Sequence, residues 1–150
     1  MTVPVSPRLG LPLLAAAQAH KEITHNEALL LMEAAILPVI EARHSDPDGL
    51  GVVPTPGQAW LVDAAAVGAW VGKVNSIAIF TAGGWRFLSP VDPMSVWSRQ
   101  HDCQIRYSGG AWTEPAQVAS PIGGITVDVE ARAALNLLLQ QLRLAGQLRP

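Results

Sequence analysis

Short apolar segments separated by glycine-containing turns fill residues 52–112 and exclude a long helix from the middle of this chain. Two glycine pairs, Gly83-Gly84 and Gly109-Gly110, each stand between a predicted strand and a tryptophan. Consecutive glycines permit the positive φ angles that tight hairpin turns need. The pattern therefore predicts a small antiparallel, hairpin-rich β domain. Its predicted strands are 59–62, 68–71, 76–80, 85–88, 94–99 and 104–107.

A helical run precedes the β segments at residues 24–37 and consists mostly of strong helix formers. Thr24 or Asn26 is expected to cap it, and Pro38 is expected to end it because proline lacks a backbone donor. The following residues, 38–43, fit either a short strand or a second helical turn.

A second helix is predicted at 126–145, capped by Thr126 and ended by Gly146. Four of its apolar residues follow the 4-3-4 spacing of a coiled-coil seam. They are Ala131, Leu135, Leu138 and Leu142. Leu137, Leu139 and Leu144 make the apolar face wider than one seam. This face either packs on the β domain of its own chain or enters a short bundle with other chains. Both interpretations stay open on the sequence.

The first 22 residues are read as an extended docking arm. Three prolines and Gly10 interrupt it, so it is not expected to be a helix or a cleaved signal peptide. It is nonetheless apolar, unlike a disordered linker. The leucines expected to contact a partner are Leu9, Leu11, Leu13 and Leu14, together with Leu135, Leu138 and Leu142 of the second helix.

These elements define an α+β fold. It comprises an extended N-terminal arm, one N-terminal helix, the hairpin-rich domain and a C-terminal amphipathic helix. The expected organisation is an arm (1–22), an α+β domain (23–113), a linker (114–125) and a helix (126–146).

The low charge of the chain limits its partners. Only 15% of the 150 residues are charged and the net charge is −2, so neither nucleic acid nor an acidic membrane is an expected partner. Because 49% of the residues are hydrophobic, we expect apolar surface to be buried against other copies in a homo-oligomer. Trimers and pentamers remain equally open.

The familiar motifs of catalysis and cofactor binding are missing from the sequence. No phosphate-binding loop, dinucleotide loop or nucleophile elbow occurs. His101 and Cys103 would share one face of an extended segment, but a zinc site needs further ligands, so ordinary polar edge residues are the preferred interpretation. We therefore expect no enzyme activity, no catalytic residue, no cofactor and no metal; a hydrolase is the weakest alternative.

The five tryptophans have two interpretations. Packing in the core is preferred, because tryptophan is usually mostly buried. Alternatively Trp70, Trp85 and Trp112, each close behind a glycine at what is predicted to be a hairpin edge, stack on sugars of a host capsule polysaccharide.

Several segments resemble the DUF2793 family, which occurs in alphaproteobacterial prophages and gene transfer agents. The most specific is PRLGLPLLAAAQAHKEITHNEAL at 7–29. The others are GAWVG (68–72), IAIF (77–80), GWRFLSP (84–90) and YSGGAW (107–112), while DVEARAALNLL (128–138) resembles sequences that follow this domain.

The resemblance implies a virion protein, most similar to the base protein of a gene transfer agent head spike, with relatives in tail fibres. Such a protein would be made in the bacterial cytoplasm and would join the capsid, or other virion proteins, to a spike or fibre protein. The expected function is thus that of a structural adaptor, with a saccharide-binding module as the alternative.

Overall fold

The computed structural model describes residues 4–14, 21–125 and 128–150 and has the predicted α+β class. Its elements run in the order α1 (Lys21–Ile36), β1 (Val39–Ile40), β2 (Arg43–His44), β3 (Ala59–Val62), a 3₁₀ helix (Gly68–Trp70), β4 (Ile77–Thr81), β5 (Gly84–Leu88), β6 (Met94–Ser98), β7 (Cys103–Ser108), β8 (Ala111–Thr113) and α2 (Val129–Leu144). The chain divides into two compact units, 1–91 and 92–150.

The sheet of the first unit has the strand order β2-β3-β4-β5. Strand β2 runs parallel to β3, whereas β3, β4 and β5 are antiparallel. The β4–β5 hairpin closes at the pair Thr81–Gly84, where Gly84 has a φ of +94°. The first predicted hairpin is therefore confirmed, although its turn residues are Ala82 and Gly83 and Gly84 is the first residue of β5.

The core of the first unit lies on this sheet. All four residues of β3 are buried, because the strand is central and both of its faces are covered. Trp60, Val62, Trp70 and Ala78 form one buried cluster, and helix α1 contacts β4 and β5.

The second unit contains the antiparallel meander β6-β7-β8. Strand β7 alternates buried and exposed residues over most of its length, as expected for a sheet with one covered face. The β7–β8 turn consists of Gly109 and Gly110, whose φ angles are +60° and +84°. Two successive positive φ angles are those of a type I′ turn, so the second glycine hairpin is also confirmed.

The predicted strand at 68–71 is wrong. Residues Gly68–Trp70 form a 3₁₀ helix in which the Trp70 amide donates to the Val67 carbonyl at 3.1 Å. Gly68 has a φ of +56°, which turns the chain, and the fully buried Trp70 anchors that turn. The third hairpin expected here therefore does not form, because the buried Trp70 side chain holds this segment in a 3₁₀ helix.

Two helix starts also differ from expectation. Helix α1 begins at Lys21, upstream of both predicted caps, and Asn26 instead exchanges two hydrogen bonds with the backbone of Leu14 at 2.9 and 3.0 Å. Helix α2 is capped by Asp128, while Thr126 lies outside the described residues. After Pro38 the chain forms β1 and β2, so the strand alternative is correct there.

Within the described ranges, neither helix combines the length and the apolar character needed to cross a lipid bilayer.

Candidate functional site

Helix α2 is well formed at both ends. The Asp128 carboxylate accepts a hydrogen bond from the Ala131 amide at 2.9 Å, which satisfies one free donor of the first turn. At the other end the amides of Gly146 and Gln147 donate to the carbonyls of Arg143 and Leu142. These two bonds, with Gly146 at a φ of +68°, constitute a Schellman motif. Hydrogen bonds therefore fix both ends of the helix.

The C-terminal end of α2 is attached to the sheet of its own unit. The Gly146 carbonyl accepts from the Gln104 amide of β7 at 2.8 Å. Gly146 is buried so closely against Trp97 that an added Cβ would lie 2.2 Å from the ring. Only glycine supplies both the positive φ and this close approach.

One flank of α2 is covered by the segment between β8 and the helix. The Arg132 guanidinium donates to the carbonyls of Pro121 and Gly123 at 3.1 and 2.8 Å. Arg143 donates to the carbonyl of Val118. The linker is thereby held along the helix by two arginines.

Most of the remaining helix surface is exposed, and no side chain of α2 is fully buried. We define the seam as Ala131, Leu135, Leu138 and Leu142. Leu135 and Leu138 are 50% and 54% exposed, while Leu142 is half-buried. A second apolar stripe, here called the far face, contains Leu137 and Leu144, which are 59% and 71% exposed. At about 100° per residue it lies on the opposite side of the helix from Leu135.

The N-terminal arm is held by the first unit. Residues 4–14 form two extended stretches with a turn at 7–9; the Ser6 amide donates to the Leu11 carbonyl at 2.9 Å and Val5 bridges to Pro12. Of the predicted contact residues, Leu9 and Leu14 are exposed, whereas Leu11 and Leu13 are half-buried.

Glu33 of α1 is the anchor of this arm, and its role was not predicted from the sequence. One carboxylate oxygen accepts from the Ser6 hydroxyl at 2.5 Å, from the Arg8 amide at 3.0 Å and from the Leu9 amide. The Arg8 guanidinium also donates to three carbonyls, those of Gly57, Leu37 and Val39. The available signal was a single carboxylate inside the apolar run LLLMEAAI.

The tryptophans proposed for saccharide binding lie mainly inside the protein. Trp70 is fully buried and meets Trp85 edge-on, with 5.0 Å between ring centroids. Trp112 is also buried and lies against Tyr107 at 5.1 Å. Sugar stacking needs an open ring face, so Trp70 and Trp112 are corrected to core residues; Trp85 is half-buried.

A polar cluster in the second unit surrounds the single cysteine. His101 Nδ1 lies 3.0 Å from the Glu114 carboxylate, and Arg149 Nη1 lies 3.7 Å from it. Burial raises the pKa of the Cys103 thiol and the negative charge of Glu114 raises it further, so the thiol stays protonated. A protonated thiol is a poor nucleophile and a poor metal ligand. In the parts of the chain that the structure describes, no group of three His, Cys, Asp or Glu side chains is placed to hold a metal ion.

The first unit also has a cavity of about 140 Å³, lined by apolar residues that include Leu13, Leu30 and Phe80. Typical ligand sites enclose roughly 300–1,000 Å³ and bring several free polar groups together. The buried carboxylate at this cavity, Glu33, is already occupied by the arm. A shallower depression of about 310 Å³ beside it is rimmed by the ion pair of Glu27 and Arg86. Neither depression of the first unit brings several free polar groups together, whereas α2 exposes Leu135, Leu137, Leu138 and Leu144.

A family model described as "Protein of unknown function (DUF2793)" matches residues 25–113. No curated protein matches the chain.

Proposed function

Because this chain belongs to the DUF2793 family, we propose that it is a structural component of a phage-type particle. It acts there as an adaptor between the capsid and a projecting spike or fibre, and it works by binding alone. The particle setting derives from the sequence resemblance of its arm and its hairpins. The adaptor role derives from the distribution of apolar surface.

The observation that carries the adaptor role is the state of α2. A helix of 16 residues with four leucines on its seam and far face at least half exposed is unusual in a protein that functions alone, because large exposed apolar patches commonly mark interaction sites. The Schellman motif and the two arginines hold this helix in a defined position. It is therefore a preformed protein-binding surface.

A second surface is available on the arm. Its backbone is attached to α1 through Glu33, yet the side chains of Val5, Leu9 and Leu14 remain exposed. An adaptor needs two protein-binding surfaces, and the arm belongs to the first unit while α2 belongs to the second. We therefore propose that the exposed side chains of the arm carry the docking role.

The test compares particles from producing cells that carry or lack the gene. We expect the protein to co-purify with wild-type particles in a fixed ratio to the capsid protein, measured by quantitative mass spectrometry. Particles from cells without the gene should keep their capsids and lose their projections in electron micrographs. Absence of the protein from purified particles, or normal projections without it, would refute the proposed function.

The arm is tested by the double substitution Leu9→Gln and Leu14→Gln. It alters two exposed side chains and leaves the donors to Glu33 intact, so the fold should be retained. We expect incorporation into particles to fall at least tenfold. The matched control is Val53→Gln, since Val53 is also exposed but lies far along the chain from the arm.

The saccharide alternative receives no independent support, because two of its three tryptophans are buried.

A further inference from the structure

We propose that the seam of α2 is a homotypic interface, in which α2 of one copy packs against α2 of a second copy. This inference names the partner of the helix whose exposure supports the proposed function, and it rests on that function only for its setting in a particle. It concerns the purified protein and is tested without particles.

The spacing of the seam specifies the kind of partner. Ala131, Leu135, Leu138 and Leu142 follow the 4-3-4 repeat with which helices pack knobs into holes. The best complement to such a seam is another helix with the same repeat. Helix α1 also exposes large apolar side chains, but these are Ile23, Met32 and Ile36, whose spacing of nine and four residues does not follow the 4-3-4 repeat.

Contacts within the chain hold α2 in place but leave two seam leucines exposed. The linker covers the neighbouring flank through Arg132 and Arg143, and the Gly146 carbonyl attaches the helix end to β7. Leu135 and Leu138 nevertheless remain half exposed. Because the linker and the helix end already have partners, this face requires no rearrangement before it binds.

The charges on and beside the seam favour a second copy over a charged partner. Its four positions are apolar, and the flank away from the linker carries Ala134 and Gln141. The guanidiniums of Arg132 and Arg143 are engaged with carbonyls of their own chain. These bonds hold both cations on the linker flank, so the seam itself carries no charge. A second copy would therefore meet an uncharged strip, whereas an acidic or basic partner would find no complementary charge on that strip.

The length of the helix sets the expected strength. Sixteen residues span about 24 Å, so two such helices bury less than the roughly 800 Å² per partner of a standard interface. We therefore expect an association that depends on protein concentration, with the number of copies given by the measured mass.

The experiment compares two double variants of the full-length protein by sedimentation equilibrium. The seam variant carries Leu135→Gln and Leu138→Gln, and the far-face control carries Leu137→Gln and Leu144→Gln. All four leucines lie on the same helix, are at least half exposed and receive the same substitution. The two variants therefore lose the same amount of side-chain hydrophobicity and differ only in the helix face that is changed.

We expect the wild type and the far-face control to associate with similar dissociation constants. The seam variant should remain monomeric, or should associate at least tenfold more weakly. A monomeric wild type across the accessible concentrations would overturn the inference, as would equal effects of the two variants. Circular dichroism should show wild-type helix content in both variants, because none of the substituted side chains is buried.

A second variant gives an independent measurement. Leu138→Cys places a thiol on the seam, while the native Cys103 is buried. Under mild oxidation we expect a disulfide-linked dimer from Leu138→Cys and none from Leu137→Cys. The opposite pattern would contradict the assignment. If the copies associate through the seam but the protein is absent from particles, the particle role fails while this interface stands.

Discussion

At the scale of single residues, Glu33 shows that one buried carboxylate can hold an N-terminal segment against a helix. It stands among Leu, Met, Ala and Ile residues of α1 and is buried. Burial of a carboxylate is unfavourable unless hydrogen bonds replace its hydration. Three donors from the arm do so, which joins residues 6–9 to the helix.

Replacing Glu33 by alanine should detach the arm. We expect Glu33→Ala to lower the free energy of unfolding by about 3 kcal/mol, because hydrogen bonds to a charged group contribute about 1.5–3 kcal/mol each and the arm residues would lose their acceptor. Glu33→Gln keeps an acceptor oxygen and should cost less. Urea denaturation measures both, and a wild-type midpoint for Glu33→Ala would contradict the anchoring role.

Cys103 gives a prediction about pH. Its pKa is raised above the ordinary 9.0, first by burial and then by Glu114, so the folded protein retains this proton at a pH where the unfolded chain has lost it. The resulting stabilisation is complete below about pH 9 and is lost as the pH rises towards the folded-state pKa. The free energy of unfolding should therefore fall more steeply above pH 9 in the wild type than in Cys103→Ala. Parallel slopes would show that the thiol does not contribute.

At the scale of elements, the end of α2 depends on one glycine for two separate reasons. Gly146 adopts a positive φ and lies against the ring of Trp97. The sequence predicted that this glycine ends the helix, because glycine favours the position after a helix. It did not predict the contact with Trp97, which lies 49 positions earlier in the numbering and is brought close only by the sheet.

The substitution Gly146→Ala separates these two contributions when compared with Gly72→Ala. Gly72 has a similar φ of +74° but open space around it, so its substitution should cost only the left-handed strain of about 1 kcal/mol. Gly146→Ala adds a clash with an aromatic ring, and overpacking typically costs a further 1–3 kcal/mol. Thermal or urea unfolding should show a clearly larger loss for Gly146→Ala. Equal losses would mean that the ring moves aside freely.

Other elements show which local structures sequence patterns could predict and which they could not. The two glycine hairpins were predictable, because their turn geometry is local and only glycine tolerates it easily. The start of α1 was not, since Asn26 was available as a cap but bonds instead to Leu14. Residues 68–71 had the composition of a strand, yet the burial of Trp70 in the core selects a 3₁₀ turn.

At the scale of the whole molecule, a net charge of −2 and an uncharged seam predict a particular response to salt. Self-association through Leu135 and Leu138 is hydrophobic, so screening of charges should not weaken it. Sulfate should strengthen it, because excluded salts favour burial of apolar surface.

Sedimentation in low and high sodium chloride, and in sodium sulfate, measures this response. We expect less than a threefold change in the dissociation constant with chloride and tighter association with sulfate. A tenfold weakening in chloride would indicate that ion pairs hold the copies together and would contradict a seam-based interface. The far-face variant Leu137→Gln/Leu144→Gln should respond as the wild type does.

The sequence by itself determined the fold class, the two glycine turns, the seam spacing of α2 and the family to which the chain belongs. These features are encoded locally, in backbone preferences and in the periodicity of apolar residues. Only the tertiary structure decided that Trp70 and Trp112 are core residues, that Glu33 holds the arm and that Leu135 and Leu138 of the α2 seam stay exposed. Each of these depends on which distant segment comes to lie beside a side chain, and local sequence patterns do not reveal such contacts.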